Sequence, residues 1–257
     1  MTFVEKVVGS EQDAAGSVLT ASEFARTAFE FEADEKQRVV LDSRARMGIV
    51  NCSRQWGKTT VVAAKAVHRA WTEKGCLVLA ASPGERQSRV FVRAAKEFVK
   101  KLGVTPRGDG DNEISLMFPN GSRIVGLPGR AATIRGFAAV SLLLIDEAAQ
   151  VPEELYLALR PMLAVSNGDL WMMSTPFGAR GFFWETWEHG GEEWERVRGP
   201  ATECARISKE FLERERKVYV AEWFAQEYLC EFTDAGGEWF GRRSVELAMR
   251  DEELLGV

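Results

Sequence analysis

Apolar positions along the chain fall into two rhythms. Short, almost unbroken apolar runs occur at 47–51, 76–81, 141–145 and 169–173. A run with little polar alternation is what a strand buried on both faces requires. Longer stretches of helical period follow them at 58–74, 84–101 and 152–162. The first closes on Gly75 and the second on Gly103, both placed to accept a left-handed turn after a helix, and the third opens on Pro152. Upstream, helices are expected at 22–31, with Ser22 as N-cap, and at 34–44, capped by Asp34. An alternating segment at 114–118, the turn residues Pro119, Asn120 and Gly121, and a return at 123–125 predict a hairpin. Strands that alternate with helices imply a mostly parallel sheet covered by helices on both faces, an α/β fold.

The rhythm changes at Gly181. A short strand near 194–197 and two charged helices, at 208–217 and 220–229, predict a small lid subdomain over 181–234. Residues 1–21 read as a flexible leader, 22–180 as the core and 235–257 as a tail with a short helix near 243–255. The chain is 46% hydrophobic and 28% charged, the balance of an ordinary globular protein. No apolar run approaches the roughly 18–20 residues that span a bilayer. The first fifteen residues carry Glu5, Glu11 and Asp13 without an apolar segment, so no secretory signal is expected and the cytoplasm is the expected compartment. Cys52, Cys76, Cys204 and Cys230 show no CxxC spacing, and the two histidines are His68 and His189. This pattern argues against a zinc site and suits a reducing environment. A net charge of −5 argues against a surface that coats nucleic acid, but leaves room for a local basic channel.

The first candidate chemistry follows the strand at 47–51. Cys52-Ser53-Arg54-Gln55-Trp56-Gly57-Lys58-Thr59 opens the helix at 58, the strand–loop–helix setting of a phosphate-binding loop. Backbone N–H groups from Ser53 to Thr60, together with the positive end of the helix, suit phosphate oxygens. Lys58 would meet the β- and γ-phosphates of ATP, and the Thr59 hydroxyl would hold Mg²⁺. Cys52 stands where the usual motif has its first glycine.

The second candidate is Asp146-Glu147, delivered by the apolar run at 141–145 to the carboxyl end of the sheet, where open α/β sheets bind ligands. Asp146 would complete the Mg²⁺ shell, and Glu147 would orient or deprotonate a water. Ser174 and Thr175, at the end of the last apolar run, suit sensing of the terminal phosphate. Gln37, whose amide both donates and accepts, is a candidate for the adenine edge; its alternative is an exposed helical glutamine. Arg86, Arg89, Arg93 and Lys100 fall on adjoining faces of the helix at 84–101. They are candidates for salt-sensitive contact with DNA phosphates, against the alternative of a solvated face.

Together, the loop 53–59, Ile145-Asp146-Glu147-Ala148, Ser174-Thr175-Pro176 and the closing segment 224–232 resemble the motor domain of the large terminase subunit of tailed phages. The likeness runs from about residue 22 to 240. It implies an additional-strand P-loop ATPase fold of the RecA-like kind with a small C-terminal lid, and ATP and Mg²⁺ as ligands. An arginine inside the phosphate loop, here Arg54, is typical of that family, where the missing first glycine is tolerated. The resemblance also implies a homo-oligomeric ring that drives double-stranded DNA into a procapsid, with the portal protein and the small terminase subunit as partners and no membrane. In such a ring an arginine from a neighbour completes each site. Arg135 matches that position, and Arg130 is the competitor. A full-length relative carries a nuclease domain, for which this chain shows no convincing acidic cluster, so DNA cleavage is not expected. Two other readings are a helicase-like or repair translocase, and a nucleotide-binding assembly module without turnover.

Overall fold

The computed structural model describes residues 19–112, 114–127, 129 and 136–233. The leader, the tail with its expected helix, and Arg130 and Arg135 lie outside these residues. The apolar runs become β1 (Met47–Cys52), β2 (Leu77–Ala81), β5 (Leu142–Asp146) and β6 (Asp169–Ser174). The hairpin supplies β3 (Ser115–Met117) and β4 (Arg123–Leu127), and β7 (Trp194–Gly199) completes a seven-stranded sheet. The strand order is β3-β4-β2-β5-β6-β1-β7, parallel throughout except for the β3–β4 pair. The mostly parallel sheet expected from the strand–helix rhythm is present, and β6 lies between β5 and β1 as an inserted strand.

Side chains alternate across this sheet. Val50, Val78, Leu142, Leu144, Trp171 and Met173 join one core. It is covered by α1 (Ala21–Phe29), α2 (Glu35–Asp42), α3 (Lys58–Thr72) and α4 (Glu85–Lys101). Ile49, Leu79, Leu143, Ile145, Leu170 and Met172 face the other way, against α5 (Glu153–Leu159) and α6 (Gly181–His189). The period of two is visible within single strands, as in Leu142 to Ile145. α7 (Lys209–Val218) and α8 (Ala221–Leu229) form a smaller unit around Ala201, Leu212 and Phe224.

Three local expectations need correction. The strand near 194–197, assigned from sequence to the lid, is the edge strand of the central sheet, paired in parallel with β1 from Met47–Trp194 to Cys52–Gly199. Its Trp194 and Val197 are buried in the two cores, and it covers an edge that β1 would otherwise leave unpaired. Helix α1 is capped by Thr20 rather than Ser22. The Thr20 hydroxyl accepts from the Glu23 N–H while the Glu23 carboxylate accepts from the Thr20 N–H, a complete capping box. Ser22 instead donates through both its N–H and its hydroxyl to Asp42 at 2.7 and 2.6 Å, tying α1 to α2. The helix opened by Pro152 leaves α geometry after Leu159 and tightens into a 3₁₀ turn over Arg160–Leu163. Pro161 lacks the N–H that an α-helix would use there.

The packing of α3 against α1 makes one pH-dependent prediction. His68 stands edge-on to Phe24, ring centroids 5.2 Å apart. Burial first, then the nearby Lys65 and Arg69, push its pKa down to about 4. Between its ordinary value of 6.5 and about 4 the unfolded imidazole binds a proton that the folded one refuses, so stability falls as pH drops through that window. Melting temperatures at pH 7.5 and 4.5 are expected to differ less in His68→Gln than in the wild type. An equal drop in both proteins would show that His68 does not contribute.

Candidate nucleotide site

The carboxyl ends of β1, β6 and β5 lie side by side and carry the three chemical segments read from the sequence. After β1 the chain turns through Gln55 and Gly57, with φ +61° and +92°, and enters α3 at Lys58. Glycine suits the second of these positions because the left-handed region is open to it at low cost. After β5 the chain turns at Glu147, with φ +53° and ψ +43°, a conformation uncommon for a residue with a side chain. The Asp146 carboxylate steadies this turn by accepting the Glu147 N–H at 3.0 Å.

The side chains converge. Lys58 Nζ is 3.0 Å from Glu147 Oε1 and 3.4 Å from Thr175 Oγ1. Thr59 Oγ1 donates to Asp146 Oδ2 at 3.0 Å. Burial, with the Glu147 charge beside it, raises the Asp146 pKa to about 6, although Lys58 and Thr59 oppose the shift. A cation bound at this carboxylate would favour its charged form. Burial opposes the Lys58 charge too, while the Glu147 and Asp146 carboxylates favour it. Cys52 is fully buried and its thiol is pushed far up by that burial, so it is an uncharged packing residue. The hydroxyls of Ser53 and Ser174 are buried without a hydrogen-bond partner among the described residues. Such orphans at strand ends mark a place where a ligand would complete the bonding. Orphaned donors, a buried lysine, a threonine–aspartate pair and a glycine turn at a helix start fit a phosphate chain with a divalent cation.

The remaining candidates lie around the loop and on α4. Gln37 is neither an exposed helical glutamine nor free to read a base with its whole amide. It is 1% exposed; its Oε1 accepts from Asp34 N–H at 3.1 Å, and its Nε2 donates to the Trp56 carbonyl at 2.9 Å. Arg54 ion-pairs through Nε with Glu227 of α8, and its N–H donates to the Glu227 carbonyl at 3.3 Å. Glu227 is buried, and an unpaired buried carboxylate would be strongly unfavourable, so Arg54 serves it as counter-charge. Trp56 is buried against Gly199 of β7, where an added Cβ would come within 2.5 Å of the indole. Gln55 is exposed, and Thr60 follows in the first turn of α3. Arg86, Arg89, Arg93 and Lys100 all lie on the exposed face of α4. Arg89 pairs with Glu85 and Lys100 with Glu97 on the same helix, as a solvated helix face does.

Two site residues have no counterpart among the sequence candidates. Glu227 lies within the segment 224–232 that carried part of the resemblance, yet its partnership with the loop is a contact across 173 positions. Arg206 donates to the Trp56 carbonyl at 2.6 Å and approaches Asp34 at 3.4 Å. It is a lone arginine in a connecting segment, and no periodicity or motif distinguishes it.

Comparison with known proteins agrees with this geometry. Residues 49–246 match the family described as terminase large subunit, T4likevirus-type, N-terminal. The large terminase ATPase domain of Thermus phage P74-26 is similar in structure with a TM-score of 0.73 at 21% identity, over 84% of this chain and 100% of its own. The large terminase of a thermophilic bacteriophage, solved in complex with ADP, gives a TM-score of 0.66 at 18% identity, over 77% of this chain and 53% of its own. The bacteriophage HK97 large terminase gives 0.57 at 19%, over 87% of this chain and 47% of its own. This chain therefore matches about half the length of the latter two proteins. No curated protein matches the chain.

Proposed function

The chain belongs to the terminase large subunit family, and from that membership we propose that it is an ATP-hydrolysing motor that drives double-stranded DNA into a viral procapsid. The observation that carries the reading is the pair of contacts Lys58–Glu147 and Thr59–Asp146, each 3.0 Å long, across the carboxyl ends of β1 and β5, which flank β6 in one sheet. A lysine suited to phosphate, a pair suited to a divalent cation and a carboxylate suited to act as base are thus within reach of one another. The large terminase of the thermophilic bacteriophage has been solved in complexes with ADP and with ATP-gamma-S, which supports a nucleotide at the corresponding place here.

In this reading the N–H groups of Gln55 and of Gly57 to Thr60 cradle the phosphates, and Lys58 leaves Glu147 for the β- and γ-oxygens. Thr59 and Asp146 would hold Mg²⁺, whose charge would offset that of the transferring phosphoryl group. Glu147, freed from Lys58, orients the attacking water and takes its proton. Ser174 and Thr175, at the end of β6, sense the terminal phosphate. Arg135 is assigned the role of the arginine that a neighbouring chain inserts, with Arg130 as its competitor. The ring, the portal and small-subunit partners, the host cytoplasm and a lid built from α7 and α8 belong to the same proposal.

Phosphate release from Mg-ATP is expected from the wild type and to fall to background in Lys58→Ala. Turnover per chain is expected to rise with protein concentration as neighbours complete one another's sites. A constant value would keep the hydrolysis and remove the ring. No turnover at any concentration, with DNA and procapsids present, would remove the motor.

A further inference from the structure

Arg206 stands on the far side of the phosphate loop from the hydrolytic groups. The strand order explains why: β6 and β5, with Thr175, Asp146 and Glu147, flank β1 on one side, and β7 flanks it on the other. Arg206 follows β7, beyond the 3₁₀ turn Ala201–Glu203. A nucleoside triphosphate whose terminal phosphate faces Glu147 must leave the loop by the opposite side. The chain end of β7 and the N-terminus of α2 lie there.

Three elements meet at one atom on that side. The Trp56 carbonyl accepts from Gln37 Nε2 of α2 at 2.9 Å and from Arg206 Nη2 at 2.6 Å. The second terminal nitrogen of Arg206, Nη1, is 3.4 Å from Oδ2 of Asp34, the residue that caps α2. A Cβ added to Gly57 would sit 3.1 Å from the Gln37 amide nitrogen and 3.6 Å from Arg206 Nη2. Gln37 and Arg206 thus wall the glycine that precedes Lys58. Both terminal nitrogens of Arg206 are engaged at the guanidinium edge, yet the side chain is 49% exposed. What remains to offer is the flat face of a cation held at its edge.

We infer that Arg206 is a nucleobase-binding residue, its guanidinium face forming the platform on which the base of the bound nucleotide lies. This rests on the nucleotide reading of the loop. Guanidinium planes stack on bases, and edge contacts that fix the plane reduce the entropy lost on stacking. A contact with the base face is indifferent to the pattern on the base edge, so Arg206 contributes affinity without selecting adenine over guanine.

The test compares Mg-ATP, Mg-GTP and Mg-tripolyphosphate binding by calorimetry to wild type, Arg206→Ala and Arg206→Lys. Both variants are expected to lose about tenfold in affinity for ATP and GTP alike, and to bind tripolyphosphate as the wild type does. Lysine keeps the charge toward Asp34 and a donor for Trp56 but has no planar face, so it is not expected to rescue. Rescue by lysine, parallel loss of tripolyphosphate binding, a loss confined to one base, or unchanged ATP affinity would each overturn the inference. A wild type that binds tripolyphosphate but not ATP would overturn it as well. A wild type that binds neither would overturn the nucleotide reading and the inference with it.

Discussion

Glu147→Gln is expected to lower ATP turnover by roughly 10²–10⁴-fold while nucleotide binding persists. Glutamine keeps the shape of the side chain but cannot accept a proton from water at neutral pH. Two further consequences follow from the contacts around it. Lys58 loses the carboxylate 3.0 Å away, so its ion-pair partner no longer competes with phosphate for its ammonium. Asp146 loses a neighbouring negative charge that helps hold its pKa near 6, so its carboxylate ionises more readily and holds a divalent cation more firmly. ATP affinity in the variant is therefore expected to equal or exceed that of the wild type. Phosphate-release rates and equilibrium binding on the same preparations separate the two effects. Turnover within about threefold of the wild type would show that Glu147 is not the base. Loss of binding together with turnover would show that the Lys58–Glu147 pair holds the loop in shape instead.

The sheet was legible because its strands are buried on both faces. Residues 76–81 and 141–145 have almost no polar interruption, and β2 and β5 appear within one residue of those limits. The phosphate loop and the acidic pair were legible for a related reason: each sits where an apolar strand stops, so its position at the carboxyl edge follows from the strand. Contacts between distant segments were not. Trp194 and Val197 are separated by two polar residues and so point to opposite faces, and nothing local says which sheet the strand joins. Gln37 reads as a surface residue by composition, and its burial depends on the Trp56 carbonyl nineteen positions away. Arg54 reads as a candidate phosphate ligand, and its ion pair with Glu227, brought in by α8, has no local signal. The capping box at Thr20 is a different case, because Thr20-Ala-Ser-Glu23 spells it locally; Ser22 is equally competent as a cap, and only the position of Asp42 decides between them.

Those long-range contacts share a direction. Arg54 reaches Glu227, Asn51 donates to the Cys230 carbonyl at 3.0 Å, and Gln226 accepts from Gly178 at 2.9 Å. The C-terminal half of α8 is thereby tied both to the loop after β1 and to the segment after β6. Side-chain bonds therefore connect the small unit formed by α7 and α8 directly to both segments.

Beneath the loop, Trp171→Ala is expected to cost about 3–5 kcal/mol of stability, the range for truncating a large buried aromatic. Trp171 is 0% exposed and is the largest fully buried side chain among the described residues. Its ring lies on Gly48, its register partner in β1, where an added Cβ would come within 2.4 Å of the indole. On it lies Lys65 of α3, with Nζ 4.5 Å from the ring centroid and donating to the Val40 carbonyl at 2.8 Å. Burial, with the Arg69 charge nearby, lowers the Lys65 pKa to about 8, and the carboxylates of Asp169, Glu195 and Asp42 oppose the shift. The stack joins the strand that leads to the phosphate loop, the strand that ends in Ser174 and the helix that begins with Lys58. Against a typical total of about 5–15 kcal/mol, its loss would leave a domain near its folding threshold. Urea midpoints of Trp171→Ala, Gly48→Ala and the double variant test the contact. Gly48→Ala alone is expected to cost about 1–3 kcal/mol by overpacking against the indole. In the double variant the added methyl enters the vacated space, so the double cost is expected to be smaller than the two single costs together. Simple additivity would show that Gly48 and Trp171 are not coupled, and that the glycine is there for the backbone rather than for the ring.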